Sequence, residues 1–275
     1  MARLKPVAGL AVAGGLALAA GGAFAAGPWP GLARSVTAAD GAVRYRAARA
    51  GAFTVVSAVR AADGRRIWSG RVRGAFGIPA VTLSGSAGGL SADGRVLVLA
   101  QPPSYEEPRS VTRFVVVPTR RPRAVRTIAV PGDFGFDALS PDAQTLYLIE
   151  HRSLAEAAYA VRAYDLRRGL LLPGAIVDRR EASETMRGFP IARATGPDGT
   201  WVYTLYTRPD ATAFVHALDT RGRTAVCVDL PWRPGDDAWK AELRLADGAT
   251  QLLVRLRGET VARIDTRTLE VLPRP

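Results

Sequence analysis

Short apolar runs alternate with turn chemistry along most of this chain. The segment 124–149, AVRTIAVPGDFGFDALSPDAQTLYLI, shows the pattern: an apolar run, a Pro-Gly turn, a second run, Ser-Pro-Asp, and a third run. Versions of it recur. An Asp in a turn launches a strand at Asp40, Asp93, Asp142, Asp198 and Asp247, at spacings of 53, 49, 56 and 49 residues. Gly follows the Asp in all but the third, which has Ala143. Asp bonds its own backbone and Gly accepts positive φ, so the pair suits a tight turn; with Ala143 the turn must differ or carry strain. A second marker, Asp-x-Arg, follows at Asp165, Asp219 and Asp265, which lie 23, 21 and 18 residues after their launching Asp.

The runs between markers are rich in β-branched and aromatic residues, as in 201–206 (WVYTLY) and 214–218 (FVHAL), and this composition predicts strands. A sheet of four strands cannot bury both its faces alone, so the copies must stack. At about 40 to 50 residues per four strands the expected all-β solution is a β-propeller. Five repeats fill the chain, which predicts five blades with inner strands near Val36, Val81, Ala138, Ala192 and Glu242. Residues 32–37 are expected to join the last blade and close the ring.

The stretch TIAVPGDFGFDALSPDAQTLYL resembles the YVTN-type and WD-repeat-like propeller repeats of secreted bacterial proteins. The resemblance is carried by Thr127, Ile128, Val130, Gly132, Ala138, Ser140, Pro141, Asp142, Leu146 and Tyr147, then by Val161, Ala163, Tyr164 and Asp165. It extends over about residues 40–272 and is strongest from 111 to 220; the Trp-Asp dipeptide of true WD repeats is absent. The resemblance implies an architecture. Proteins with such repeats bind partners, serve at surfaces or catalyse, so no single activity follows.

Residues 1–25 read as an export signal: Arg3 and Lys5, an uncharged run of Ala, Gly, Leu and Val, then Ala23-Phe24-Ala25 before a cleavage point at Ala26. The competing reading is an uncleaved anchor, since residues 6–26 are long enough to span a bilayer. The expected location is secreted or extracytoplasmic, or N-terminally anchored, with no membrane span in the mature chain. Residues 26–39 form a leading segment, and 40–275 the repeats.

The formal charge is +12, or +10 without Arg3 and Lys5, and Arg supplies almost all of it. The basic residues are spread over every segment, which predicts a solvated surface and no nucleic-acid partner. Long-range attraction to anionic wall polymers or lipid headgroups remains open. Cys227 is the only cysteine and sits in an apolar run, so no internal disulfide or zinc site is expected.

In a propeller the loops that open the inner strands surround one mouth of the central channel. Asp133, Phe134, Met186, Arg187 and Phe189 fall in such loops. Arg187 and Arg193 are candidates to hold an anionic group through bidentate bonds. Tyr105, in the loop QPPSYEEP at 101–108, is a candidate contact. A propeller glycosidase needs two carboxylates flanking the scissile bond, and Asp137 with Glu242 is the available pair. His151 beside Glu150 is a candidate base, whereas mid-strand His216 reads as structural. No G-x-S-x-G, EF-hand or phosphate-loop pattern occurs, and neither cofactor nor metal is expected. The leading expectation is a non-enzymatic module that binds a protein, a glycan or a cell-envelope component with one face. A hydrolase or lactonase acting on a carbohydrate-like substrate is the alternative, and a structural envelope module the second.

Overall fold

A computed structural model of the chain describes residues 29–123, 125–153, 155–183, 185–233 and 235–273; residues 1–25, the expected export signal, lie outside them. The fold is a β-propeller of five blades. Strand β1 (Leu32–Ala33) precedes blade 1, formed by β2 (Ser35–Thr37), β3 (Val43–Ala50), β4 (Phe53–Arg60) and β5 (Arg66–Arg73). Blade 2 has β6 (Ile78–Pro79), β7 (Val96–Ala100), β8 (Val111–Pro118) and β9 (Arg126–Pro131). Blade 3 has β10 (Phe134–Leu139), β11 (Thr145–Ser153), β12 (Ala158–Asp165) and β13 (Leu170–Leu171). Blade 4 has β14 (Phe189–Thr195), β15 (Trp201–Thr207), β16 (Ala213–Asp219) and β17 (Thr224–Asp229). Blade 5 has β18 (Ala241–Ala246), β19 (Gln251–Leu256), β20 (Glu259–Asp265) and β21 (Glu270–Val271). All these pairings are antiparallel.

The repeated Asp turns join each inner strand to the next. In the first four blades the Asp Oδ1 accepts the amide two residues on, at 2.9–3.0 Å. Ala143 keeps the positive φ of its glycine counterparts, 52° against 72°, 67° and 75° at Gly41, Gly94 and Gly199, so the third turn carries αL strain. The fifth turn differs: Asp247 itself has φ 51°, and its carbonyl accepts the Thr250 amide and hydroxyl. Asp165, Asp219 and Asp265 each accept two consecutive amides and close the hairpin to the outer strand.

Apolar clusters join blade 1 to 2, 2 to 3, 3 to 4 and 4 to 5. Among the described residues none joins blade 5 to blade 1, so the ring is open at one seam. The expected closing strand lies elsewhere: Leu32 and Ala33 pair with Pro79 and Ile78, and Ser35–Thr37 forms the inner strand of blade 1. The reason is the phase of the repeat. The strand before each launching Asp is that blade's own inner strand, and blade 5 already has four strands.

Blade 2 departs from the others at the axis. Its inner strand is only two residues long, continued by isolated bridges from Gly77 to Ala100 and from Leu90 to Leu97. Between them the chain crosses to blade 4, where the Leu83 amide donates to the Pro190 carbonyl at 2.8 Å and the Ser84 hydroxyl to the Ile191 carbonyl at 2.7 Å. The return passes through Gly89 (φ 89°), where a Cβ would lie 2.4 Å from the Val98 carbonyl oxygen. A Cβ at Gly41 (φ 72°) would meet nothing within 4 Å. Gly41→Ala is therefore expected to cost about 1 kcal/mol, the αL penalty alone. Gly89→Ala should cost at least about twice that, because backbone must also move; denaturant midpoints of the two variants test the difference.

Candidate functional site

The mouth of the channel is built from turn geometry that the chain uses twice. At Gly132 (φ 113°) the backbone folds back so that the Phe134 ring lies beneath it; a Cβ there would be 2.9 Å from the ring. The Thr112 hydroxyl fastens the turn by donating to the Gly132 carbonyl at 2.8 Å and accepting the Phe134 amide at 2.9 Å. Gly74, Phe76 and Thr54 repeat the arrangement at the same distances, 2.8 and 2.9 Å. The Gly-x-Phe triplets were readable in the sequence, but their Thr partners lie 20 residues before the glycines.

This turn places Asp133 behind His151 of β11. His151 Nδ1 donates to Asp133 Oδ2 at 3.1 Å, its amide donates to the Asp133 carbonyl at 3.0 Å, and both side chains are buried. Gly135 makes room for the imidazole, since a Cβ there would stand 3.3 Å from Nε2. On the ring's other face lies Trp29, with centroids 4.2 Å apart and planes 11° from parallel. Trp29 is 2% exposed; its carbonyl accepts the Tyr105 hydroxyl at 3.2 Å. The following residues are held across the mouth by the β1–β6 pairing. Pro79, Val81, Pro103, Phe134, Phe136 and Pro190 complete a mainly apolar cup. Beside the indole it leaves about 40 Å³, space for a few waters and not for an organic ligand. The indole Nε1 has no hydrogen-bond partner among the described residues.

Beneath the cup, β10 is irregular between Phe136 and Ala138. The bulge at Asp137 breaks the expected alternation, so Phe136 and Asp137 line the same cavity. Arg193 of β14 donates to the Asp137 carbonyl at 2.6 Å and to its carboxylate, tying blade 3 to blade 4 below the surface. Alongside, Tyr159, Tyr206 and Phe214 stack at 5.0 and 5.2 Å, with Arg208 over the Phe214 ring. His216 is buried edge-on to Tyr206, its Nδ1 3.6 Å from Cys227 Sγ. Burial pushes the His216 pKa down to about 4, so the imidazole is neutral at pH 7.

The sequence candidates separate on this frame. Phe134 lines the mouth, Asp133 orients His151, and Tyr105 holds the segment that carries Trp29. Met186 is buried between blades 3 and 4, in the cluster that includes Trp29. Arg187 stands exposed at the rim, paired with Glu156 at 3.1 Å. Phe189 packs into the blade 4–5 interface, away from the cup. Arg193 is occupied by Asp137 rather than presented to a ligand. Asp137 and Glu242 do not converge: one is buried against Arg193, the other exposed beside Arg244 at 2.9 Å. Trp29 lies in the stiff PWPG leading segment, which carried no chemical signal beyond an aromatic ring between two prolines. Among the described residues no group of three or more His, Cys, Asp or Glu could hold a metal, and no helix is long and apolar enough to cross a membrane.

No family model and no curated protein matches the chain. Solved structures do. A functionally unknown protein from Desulfotomaculum acetoxidans is 9% identical with a TM-score of 0.51, over 86% of this chain and 66% of its own. The Cps50 (Swd1) β-propeller domain of Myceliophteria thermophila is 12% identical with a TM-score of 0.50, over 90% and 68%. A putative TolB from Agrobacterium tumefaciens is 12% identical with a TM-score of 0.45, over 89% and 80%. At these identities the likeness is one of fold.

Two outcomes follow from the buried groups. Arg193→Ala strands the Asp137 carboxylate and should cost about 3–5 kcal/mol, whereas Asp137→Leu with Arg193→Met should recover most of the loss; urea denaturation of the single and double variants tests this. His216 takes a proton below about 4 in the folded chain but below 6.5 when unfolded. The unfolded state therefore binds more protons in that window, so stability is full above about pH 6.5 and falls as pH drops toward 4. Unfolding midpoints at pH 7 and pH 4.5 should differ less in His216→Phe than in the parent protein.

Proposed function

We propose that this propeller is an exported, non-enzymatic binding module whose channel mouth recognises a protein segment through an aromatic side chain. The observation that carries the reading is the stack of Trp29 on His151. The cup is shaped for a flat ring, its walls are mainly apolar, and its carboxylate and amide side chains are committed, Asp137 to Arg193 and Gln101 to the Arg113 amide at 2.7 Å, with Asp133 held behind His151. Among the described residues no Ser, Thr, Cys or Lys side chain lines it to act as a nucleophile. In this reading the leading segment fills the cup until a partner's aromatic residue displaces it. Export rests on residues 1–25, and the YVTN-type resemblance of the repeats fits a cell-envelope setting.

A second reading, a hydrolase or lactonase, draws on the 3.1 Å Asp133–His151 pair, which has the geometry of an oriented general base acting on water. It requires Trp29 to leave the mouth before substrate enters.

Trp29→Ala separates the readings. Truncating a fully buried Trp should cost about 3–5 kcal/mol and open an apolar cavity that takes indole. Titration calorimetry should show indole binding to the variant and not to the parent chain, with capture of an aromatic-bearing envelope protein enhanced. Hydrolysis of a lactone by Trp29→Ala that disappears in Trp29→Ala/His151→Ala would overturn the non-enzymatic reading, as would an opened cup that binds neither indole nor protein.

A further inference from the structure

The open seam leaves one face of blade 1 uncovered, and that face has a consistent chemistry. Cross-strand register sorts its side chains. Tyr45, Val56, Ala58 and Val72 point into blade 2. The opposite face carries Arg44 and Arg46 of β3 with Arg66, Arg71 and Arg73 of β5, since Arg44 pairs with Val59, Val59 with Arg66, Val55 with Arg71 and Phe53 with Arg73. Four of the five are exposed and Arg44 is half-buried. None has a carboxylate partner among the described residues, although Arg takes part in most of the ion pairs elsewhere. Residues 34–73 hold nine Arg against Asp40 and Asp63, a net +7, and both acids sit in turns rather than on the sheet face. The basic charge is therefore gathered here, not spread evenly along the chain.

We propose that the outer face of blade 1 is a docking surface for an acidic polysaccharide bearing carboxylates. Residues two apart on a strand lie about 6.6–6.8 Å apart, and β3 and β5 are two strand spacings apart, about 9.5 Å. The arginines thus form two parallel rows that can fork onto successive carboxylates of one linear chain. Hydroxyls that match sugar hydroxyls share this face: Ser57 of β4 stands between the rows, Ser69 lies within the β5 row, and Ser35 and Thr37 of β2 flank the β3 row, where Thr37 already accepts from Arg44 Nε at 3.5 Å. Other polyanions fit less well. The face has no exposed aromatic ring on which bases could stack, Phe53 being half-buried under the Arg71 guanidinium at 4.4 Å. Its central strand carries Phe53, Val55 and Val59, but Val59 is buried and the other two are half-buried between the arginine rows, so no large apolar side chain stands fully exposed to enter a bilayer interface or to centre a protein interface. Blade 5 offers it little: its own outer face carries Arg244, Arg255 and Arg263, while Glu242 is already engaged by Arg244 and Asp265 by its own turn amides. This surface is separate from the channel mouth and does not depend on what the mouth binds.

The test uses the full mature chain and polygalacturonate, with neutral dextran as blank. Binding by calorimetry or biolayer interferometry should weaken with added salt. It should fall about tenfold or more in Arg44→Ser/Arg46→Ser/Arg71→Ser, which loses three guanidinium–carboxylate contacts. A charge-matched control, Arg167→Ser/Arg221→Ser/Arg267→Ser in exposed turns, should bind like the parent. Circular dichroism melts establish that both triple variants are folded. Equal loss in both, no binding by the parent chain, or tighter binding to duplex DNA or to phosphatidylglycerol vesicles than to polygalacturonate would overturn the proposal. So would salt-dependent self-association of the parent chain that the blade 1 triple alone abolishes.

Discussion

The three middle blades of this molecule each bury two apolar faces against two neighbours, and the fold depends on that burial. A four-stranded sheet in water cannot keep such faces exposed, and a closed ring solves the problem for all blades at once. Here four interfaces are made and the fifth is not. The chain meets the constraint at its ends as a solenoid does, by making the outward faces of the first and last blades polar: arginine and hydroxyl residues on blade 1, Glu242 with three arginines on blade 5. The same constraint explains why the axis is filled. A ring with a gap cannot hold its inner strands by hoop closure, and the segment from blade 2 that bonds to blade 4 supplies a tie across the diameter.

The repeat made much of this legible. Five launching aspartates, and the Asp-x-Arg turns behind them, mark the hairpins where the structure has them, because an Asx turn is a local device whose donor and acceptor lie within a few residues. Ala143 is the informative case: replacing Gly left either a changed turn or strain, and the backbone shows strain. Closure was not legible. Residues 32–37 read as a spare strand, and which sheet a spare strand joins is decided by distant partners. The charge of blade 1 was visible as composition, but strand register alone reveals that five of its arginines share a face.

The candidate site divides in the same way. Asp133, Phe134 and His151 were identified from loop position, and the structure brings them together. Asp137 and Arg193 were read as separate ligand-facing groups, yet they satisfy each other, which is how two opposite charges survive in a buried interface. Trp29 was missed because its importance comes from the ring it meets, 122 positions along the chain, and nothing local to Pro28-Trp29-Pro30 reports that. Gly135, opposite, is silent for the same reason: its role is the absence of a Cβ where an imidazole must pass.

The tie across the axis also bears on how the chain reaches this state. Ser84 bonds to Ile191, 107 residues away, while most other contacts of a blade lie within one repeat. Blades could collapse one by one in sequence order, but the loop of blade 2 has no partner until blade 4 exists. Its closure entropy falls due late, and it joins what would otherwise be a row of semi-independent units. Loss of blade 4 should therefore loosen blade 2 as well as blades 3 and 5, giving a molecule that melts as one unit rather than fraying from the seam.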